Sequence, residues 1–141
     1  MTGTAMDVFK QDNYAAHLGL EIVEINEGSS LVKMPIRPFH LNGGGRVHGG
    51  ALLSLADLAL AAAAISRGDY GSAVSVQMNF MKGATEGTLW ARGIELSSGR
   101  SIRHYQVSVE DDNQTLIGSF QGTVYLMQNP DKLLNKSQQK K

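Results

Sequence analysis

Residues 49–66 read GGALLSLADLALAAAAIS, and no other stretch limits the fold so strongly. A helix that is apolar on every side keeps no face for water and has to be enclosed. Its length would suit a bilayer. Seven of the eighteen residues are alanine, two are serine and one is aspartate, so insertion is weakly driven and a membrane span is rejected. What remains is a sheet curved around the helix, covering both of its flanks.

The rest of the chain supplies such a sheet. The helix is expected over 49–67, stopping at RGDYG, where Arg67 and Gly68 suit a C-terminus. In SAVSVQMNFM, Val74, Val76, Met78 and Phe80 then fall on one face and Ser75, Gln77 and Asn79 on the other. TLWARGIEL and SIRHYQVSVED follow, joined by SSGR, and TLIGSFQGTVYLM is entered through DDNQ. Strands joined by such short turns run antiparallel. Before the helix, LEIVEINEGSSLVKMPI alternates around NEGS as a hairpin whose loop contains Gly28. Residues 6–17 predict one short helix, with Met6, Phe9 and Asn13 or Tyr14 along one side. The tail 128–141 is polar and expected to fray. The fold class is α+β, a curved antiparallel sheet around one long helix. The 141 residues are expected to form a single domain with an N-terminal helical segment over 1–18.

Composition removes several functions. Thirteen basic residues balance thirteen acidic ones, which leaves no charge footprint for nucleic acid or an anionic membrane. The absence of cysteine excludes disulfides, zinc-thiolate sites and thiol nucleophiles. The histidines lack a spacing such as His-Glu-x-x-His, so no metal is expected. MTGTAMDVFKQD has no basic region followed by an apolar run, which leads to the expectation of a cytoplasmic protein.

Two features point to chemistry. NGGGRVHGG, residues 42–50, brings five glycines and a histidine to the start of the helix. Glycine lets a ligand approach the backbone, and the first N–H groups of a helix are unpaired and carry partial positive charge. Gly49 and Gly50 therefore suit an anion or a developing oxyanion, although a flexible loop before an ordinary helix has the same composition. A phosphate loop is excluded, because no Gly-Lys-Ser/Thr follows. His48 either caps the helix or orients the loop, or it has a hydrogen-bonding role in an active site. Asp57 stands among Leu53, Ser54, Leu60 and Ala61, and no basic residue lies in the helix before Arg67. A carboxylate on so apolar a surface is costly unless paired, and burial raises its pKa toward that of a useful base.

Gly49 and Asp57 lie eight residues apart, about 12 Å along a helix at ~1.5 Å per residue. A base and an oxyanion donor acting on one carbonyl both have to lie ~3 Å from the reacting atoms. If both serve one reaction, the aspartate comes from a second copy of the chain, and a two-fold dimer holds two such composite sites.

NGGGRVHGGALLSLAD resembles the pattern Asn-x-x-Gly-x-x-His-Gly-Gly followed by a helical Asp in hotdog-fold acyl-CoA thioesterases of the PaaI-like, phenylacetyl-CoA type. VSVQMNFMK and SSGRSIRHYQVSVED are similar to that family's third strand and its next hairpin, and the resemblance covers about residues 19–127. It implies that the Gly49 N–H holds the thioester oxygen, that His48 and Asn42 orient thioester and water, and that Asp57 of the opposite subunit is general base or nucleophile. Ser75 falls where relatives use a hydroxyl to position the water or the carboxylate, although alternation puts it on a polar row with Gln77 and Asn79. Ser98, Gly99 and Arg100 are the family-like contacts for the coenzyme A phosphates, with Lys82 and Arg46 as further candidates. Coenzyme A enters as part of the substrate, with no separate cofactor. The expected assembly is a homodimer with composite sites, doubled into a homotetramer. Two other functions compete, an acyl thioester hydratase or dehydratase and a non-catalytic acyl-CoA binder. The residue order does not match the first, and a buried Asp57 has little use in the second.

Overall fold

A computed structural model describes residues 3–127; the tail expected to fray lies outside the described residues. Helices α1 (Gly3–Lys10) and α2 (Asn13–Leu18) precede the hairpin β1 (Glu21–Asn26) and β2 (Ser29–Pro35). One 3-10 turn, Pro38–His40, leads to the central helix α3 (Gly49–Ile65). Strands β3 (Tyr70–Phe80), β4 (Thr88–Ser98), β5 (Ile102–Glu110) and β6 (Leu116–Met127) complete the chain.

The helix expected over 6–17 is in fact two. Asp12 interrupts it with a non-helical ψ of 90°, and its carboxylate accepts from the Ala15 N–H at 2.9 Å. A short acceptor side chain in that position satisfies an unpaired amide of the next helix, so the break doubles as a cap. Gly19 ends α2 with φ +75°, a left-handed conformation that glycine adopts without strain.

The six strands form one antiparallel sheet in the order β1-β2-β4-β5-β6-β3. β3 therefore does not pair with β4, its neighbour in sequence, but crosses to the far edge and pairs with β6. α3 lies chiefly across β2, β4 and β5. Leu55, Ala56, Ala59, Leu60, Ala62 and Ala63 of the helix are buried against Val32, Leu89, Ala91, Val107 and Phe120 of the sheet. The alanines matter because they allow close approach. A Cβ on Gly93 would stand 2.9 Å from the Ala59 carbonyl oxygen, and one on Gly122 would stand 2.9 Å from Leu60. In the space left open, the Ser30 hydroxyl donates to the Ala59 carbonyl at 2.6 Å, a buried bond from sheet to mid-helix.

The far end of α3 is fixed by polar contacts. The Ser66 hydroxyl accepts from the Gly28 N–H at 2.8 Å, and Arg67 pairs with Glu27 and, at 2.8 Å, with Glu95. The helix stops at Ile65, two residues before the expected end, because Ser66 and Arg67 turn toward the β1–β2 hairpin.

β3 departs most from its sequence pattern. A bulge between Ala73 and Ser75 takes Val74 out of register, while Val76, Met78 and Phe80 lie opposite Gly122, Phe120 and Gly118. The apolar face of β3 is not core. Val74 is 62% exposed and Phe80 58%, because the strand is an edge that α3 covers only in part.

Candidate active site

The glycine-rich segment before α3 is held in one shape by its own hydrogen bonds. Leu41 bridges Val47, the Asn42 N–H donates to the Arg46 carbonyl at 2.7 Å, and the Gly45 N–H donates to the Asn42 carbonyl at 3.0 Å. The side-chain oxygen of Asn42 accepts from the N–H groups of Gly44 and Arg46 at 2.9 and 3.2 Å. Two backbone donors on Oδ1 identify it as the oxygen and leave the Nδ2 amide hydrogens for another partner.

His48 is the N-cap of α3. Its Nδ1 accepts from the Gly50 N–H at 2.8 Å, so the ring hydrogen sits on Nε2. The capping reading of this histidine is observed, and a capping Nδ1 leaves Nε2–H available as a donor. The His48 carbonyl accepts from Ala51 and Leu52 at 2.9 and 3.2 Å. The Gly50, Ala51 and Leu52 amides are therefore paired, while the Gly49 N–H has no partner among the described residues. It is the unpaired amide that the start of the helix leaves open.

Gly49 opens onto a cleft of about 340 Å³ lined by Asn42, Arg46, Leu52, Phe80, Met81 and Lys82. A Cβ on Gly49 would touch the Phe80 ring at 3.3 Å, so glycine keeps the amide accessible beside that ring. Arg46 and Lys82 bring two positive charges to the same cleft. Ser98, Gly99 and Arg100 sit at the exposed tip of the β4–β5 hairpin and line neither this cleft nor that of Asp57. Of the candidate coenzyme A contacts, the fold of the single chain brings only Arg46 and Lys82 to the Gly49 amide. The cause is local, as the Leu41–Val47 bridge folds Arg46 back toward Lys82 and Gly83.

Asp57 occupies a different cleft, of about 450 Å³, between α3 and the bulged part of β3, with Leu53, Ser54, Ala73, Val74, Ser75 and Val76 around it. The two clefts share no lining residue. Asp57 is not part of the core; it is open to solvent in the single chain. Its carboxyl is nevertheless pushed above the usual carboxylate range, first by the protein crowded around it and then by the charge of Asp12. Among the described residues it has neither a hydrogen-bond partner nor an ion pair, and no cation lines its cleft. Ser75 lines the Asp57 cleft, yet it also borders a 280 Å³ hollow on the opposite face of the sheet with Gln77, His104, Gln121 and Thr123. An edge strand is reachable from both faces, which is how one serine serves two surfaces.

One contact escaped the sequence reading. The Tyr14 hydroxyl lies 3.1 Å from Ser54, one helical turn before Asp57, and Ser54 in turn donates to the Gly50 carbonyl at 2.8 Å. Ser54 therefore receives the Tyr14 hydrogen, and α2 becomes a neighbour of the Asp57 cleft. The only trace in sequence was the placing of Tyr14 along one side of the first helix. Among the described residues, no group of three or more histidine and acidic side chains is gathered as for a metal ion, and no helix is long and apolar enough to cross a membrane.

A family model described as Thioesterase superfamily matches residues 44–117, from the glycine loop to the start of β6. The acyl-coenzyme A thioesterase PaaI of Escherichia coli is 31% identical over 116 residues, covering 82% of this chain and 83% of the relative. The solved structure of E. coli PaaI, from the phenylacetic acid degradation operon, superposes with a TM-score of 0.84 at 30% identity, covering 87% of this chain and 90% of its own. A mutant structure of the phenylacetic acid degradation protein PaaI from Thermus thermophilus gives a TM-score of 0.79 at 32% identity, covering 82% and 100%. The chain belongs to the thioesterase superfamily as a PaaI-like hotdog protein, a hydrolase acting on thioesters.

Proposed function

We propose that this protein hydrolyses acyl-CoA thioesters to a carboxylic acid and free coenzyme A. The unpaired Gly49 N–H at the capped start of α3, flanked by Arg46 and Lys82, carries this reading. In the proposed reaction the thioester oxygen sits on the Gly49 N–H, with Asn42 Nδ2 and His48 Nε2 as donors that orient thioester and water. Asp57 takes a proton from the water as the water oxygen bonds to the carbonyl carbon, or it attacks that carbon directly to form, once the thiolate has left, a mixed anhydride that water hydrolyses to the carboxylic acid and free Asp57. The negative charge that develops on the former carbonyl oxygen is held by the Gly49 amide. Collapse breaks the C–S bond, and the thiolate leaves to be protonated as coenzyme A. Ser75 positions the water or the carboxylate. The phosphates meet Arg46 and Lys82, and Ser98, Gly99 and Arg100, which line neither cleft of the single chain, would reach them only from another chain of the assembly. Coenzyme A belongs to the substrate, so no separate cofactor takes part. Coenzyme A thioesters are held inside cells, and a cytoplasmic setting belongs to the same reading.

The composite site also belongs to this proposal. Among the described residues, β3 has no hydrogen-bonding neighbour along one edge over its eleven residues, with exposed Val74, Val76 and Phe80 along it. Such an edge is a template for a second copy. The Asp57 cleft borders residues 73–76, in the middle of the strand, and the Gly49 cleft residues 80–81, at its C-terminal end. Two-fold antiparallel pairing of β3 with itself about an axis near residues 77–78, between the two clefts, would set Asp57 of one chain facing Gly49 of the other. A second surface supports doubling to a homotetramer. On the sheet face away from α3, the rows Gln106–Gln121–Gln77 and His104–Thr123–Ser75 contain no lysine, arginine, aspartate or glutamate, while Ser108–Ser119–Asn79 is bounded on β4 by Arg92. Depletion of such charges marks the centre of an interface, and amides and hydroxyls can pair with their own copies across a two-fold axis. Light scattering in solution is expected to give the mass of four chains; a monomer would remove the shared site.

The function is tested by incubating the protein with a series of acyl-CoAs, aryl and aliphatic, in the presence of a thiol reagent. Release of free thiol with catalytic turnover is the expected result. Acyl chains altered without free thiol would mean hydration chemistry, and binding without either would mean a non-catalytic module.

A further inference from the structure

His40 is 2% exposed, and every polar atom of the residue is engaged. Nδ1 accepts from the Arg37 N–H at 2.9 Å, so the ring hydrogen lies on Nε2, which donates to the carbonyl of Leu18 at 2.8 Å. Leu18 is the last residue of α2, and Arg37 follows β2 by two residues. The ring thus ties two separate parts of the scaffold together. The backbone of the same residue does something different. Its N–H donates to the Arg37 carbonyl at 3.0 Å, and its carbonyl accepts from the His48 N–H at 2.7 Å.

His48 is the cap of α3, and Gly49 is the next residue. Between His40 and His48 lie Asn42-Gly-Gly-Gly-Arg, a stretch in which three consecutive glycines leave the chain a wide choice of conformations. The loop's own bonds close it on itself, but they do not set where it stands relative to the sheet. Two bonds do so beside the cap: the Val47 N–H donates to the Ala84 carbonyl at 2.8 Å, and the His48 N–H to the carbonyl of His40, whose position its ring sets. We propose that His40 is a positioning residue for the Gly49 amide, transmitting the placement of α2 and the end of β2 to the start of α3. This inference rests on the reading of Gly49 as the oxyanion donor.

Three variants and two readouts test it. His40→Ala removes both ring bonds. His40→Asn keeps an acceptor near the Nδ1 position, and His40→Gln keeps a donor near the Nε2 position. Misplacing a catalytic group by about 1 Å costs on the order of 10²-fold, so kcat for acyl-CoA hydrolysis by His40→Ala is expected to fall about 10- to 100-fold. KM should move less than kcat, because Lys82 of the same cleft lies outside the 41–52 segment, while the Gly49 amide that acts on the transition state lies within it. Asn and Gln should each recover part of the loss. Hydrogen exchange, read by mass spectrometry, should speed up in peptides covering residues 41–52 while those from β5 and β6 stay unchanged.

Wild-type kcat in folded His40→Ala would overturn the proposal, as would faster exchange throughout the molecule, which would make His40 an ordinary core residue. If His40→Ala does not fold, the Asn and Gln variants decide: wild-type turnover in both, or failure of both to fold, overturns it equally. If the wild-type protein releases no thiol from any acyl-CoA, the proposed function has failed, and the exchange pattern alone then decides the positioning role.

Discussion

Asp57→Asn is expected to lower thioester hydrolysis by about 10²–10⁴-fold, the range for losing a general base, and by more if Asp57 is the nucleophile. The folded oligomer should persist, because the side chain has no hydrogen-bond or ionic partner among the described residues to lose. Stability should move the other way from activity. The Asp57 pKa is raised in the folded chain, mainly by the protein around it and also by Asp12, so the native state binds this proton more tightly than the unfolded state. Keeping the group ionised therefore costs stability at neutral pH. That cost fades as pH falls through the raised value and is gone below the ordinary carboxylate range. At pH 7 the Asn variant should melt at the same temperature as the parent or higher, and the difference should vanish on acidification. In the parent, the acid limb of kcat/KM should lie above the usual carboxylate range for the same reason. Thiol release and thermal melts across pH measure all three. A folded Asp57→Asn protein that hydrolyses at the parent's rate would remove Asp57 from the mechanism.

Mixing two inactive variants is expected to restore activity. Gly49 is the first helical residue after the His48 cap, a position where proline is well tolerated, so Gly49→Pro removes the N–H while keeping the helix. Phe80, 3.3 Å from a Cβ there, is exposed and can give way. Gly49→Pro and Asp57→Ala should each be nearly inactive alone. After random reassortment half the dimers are mixed, and each mixed dimer holds one intact pair, which yields about a quarter of the parent's sites. Co-expression with two affinity tags isolates the mixed species and doubles the signal per dimer. Purified mixed dimers without activity would mean that Gly49 and Asp57 do not serve one carbonyl from two chains.

The central helix and its entry were legible in the sequence because they rest on local chemistry. An all-apolar run demands enclosure, glycines before a helix expose its first amides, and a spacing of eight residues along a rigid helix is a distance. The strands were legible for the same reason, since alternation is a property of the strand itself. Neighbour relations were not. Nothing in the pattern of β3 says that it pairs with β6 rather than β4, and its exposed Val74 and Phe80 look like core until the strand is known to be an edge. The break at Asp12 hid in a segment whose apolar spacing allowed one helix.

The candidate site divides along the same line. His48, Gly49 and Asp57 stood out by residue type and position, and Asn42 through the family resemblance. Arg46 and Lys82 moved ahead of Arg100 at the Gly49 cleft only when the Leu41–Val47 bridge folded the loop back, and His40 gained a role only through bonds to Leu18, Arg37 and His48. The sequence by itself determined which groups could do chemistry and how far apart one helix holds two of them. Tertiary structure alone decided which clefts those groups line, because contacts between residues distant in the chain depend on the pairing order of the strands, which a local pattern does not encode.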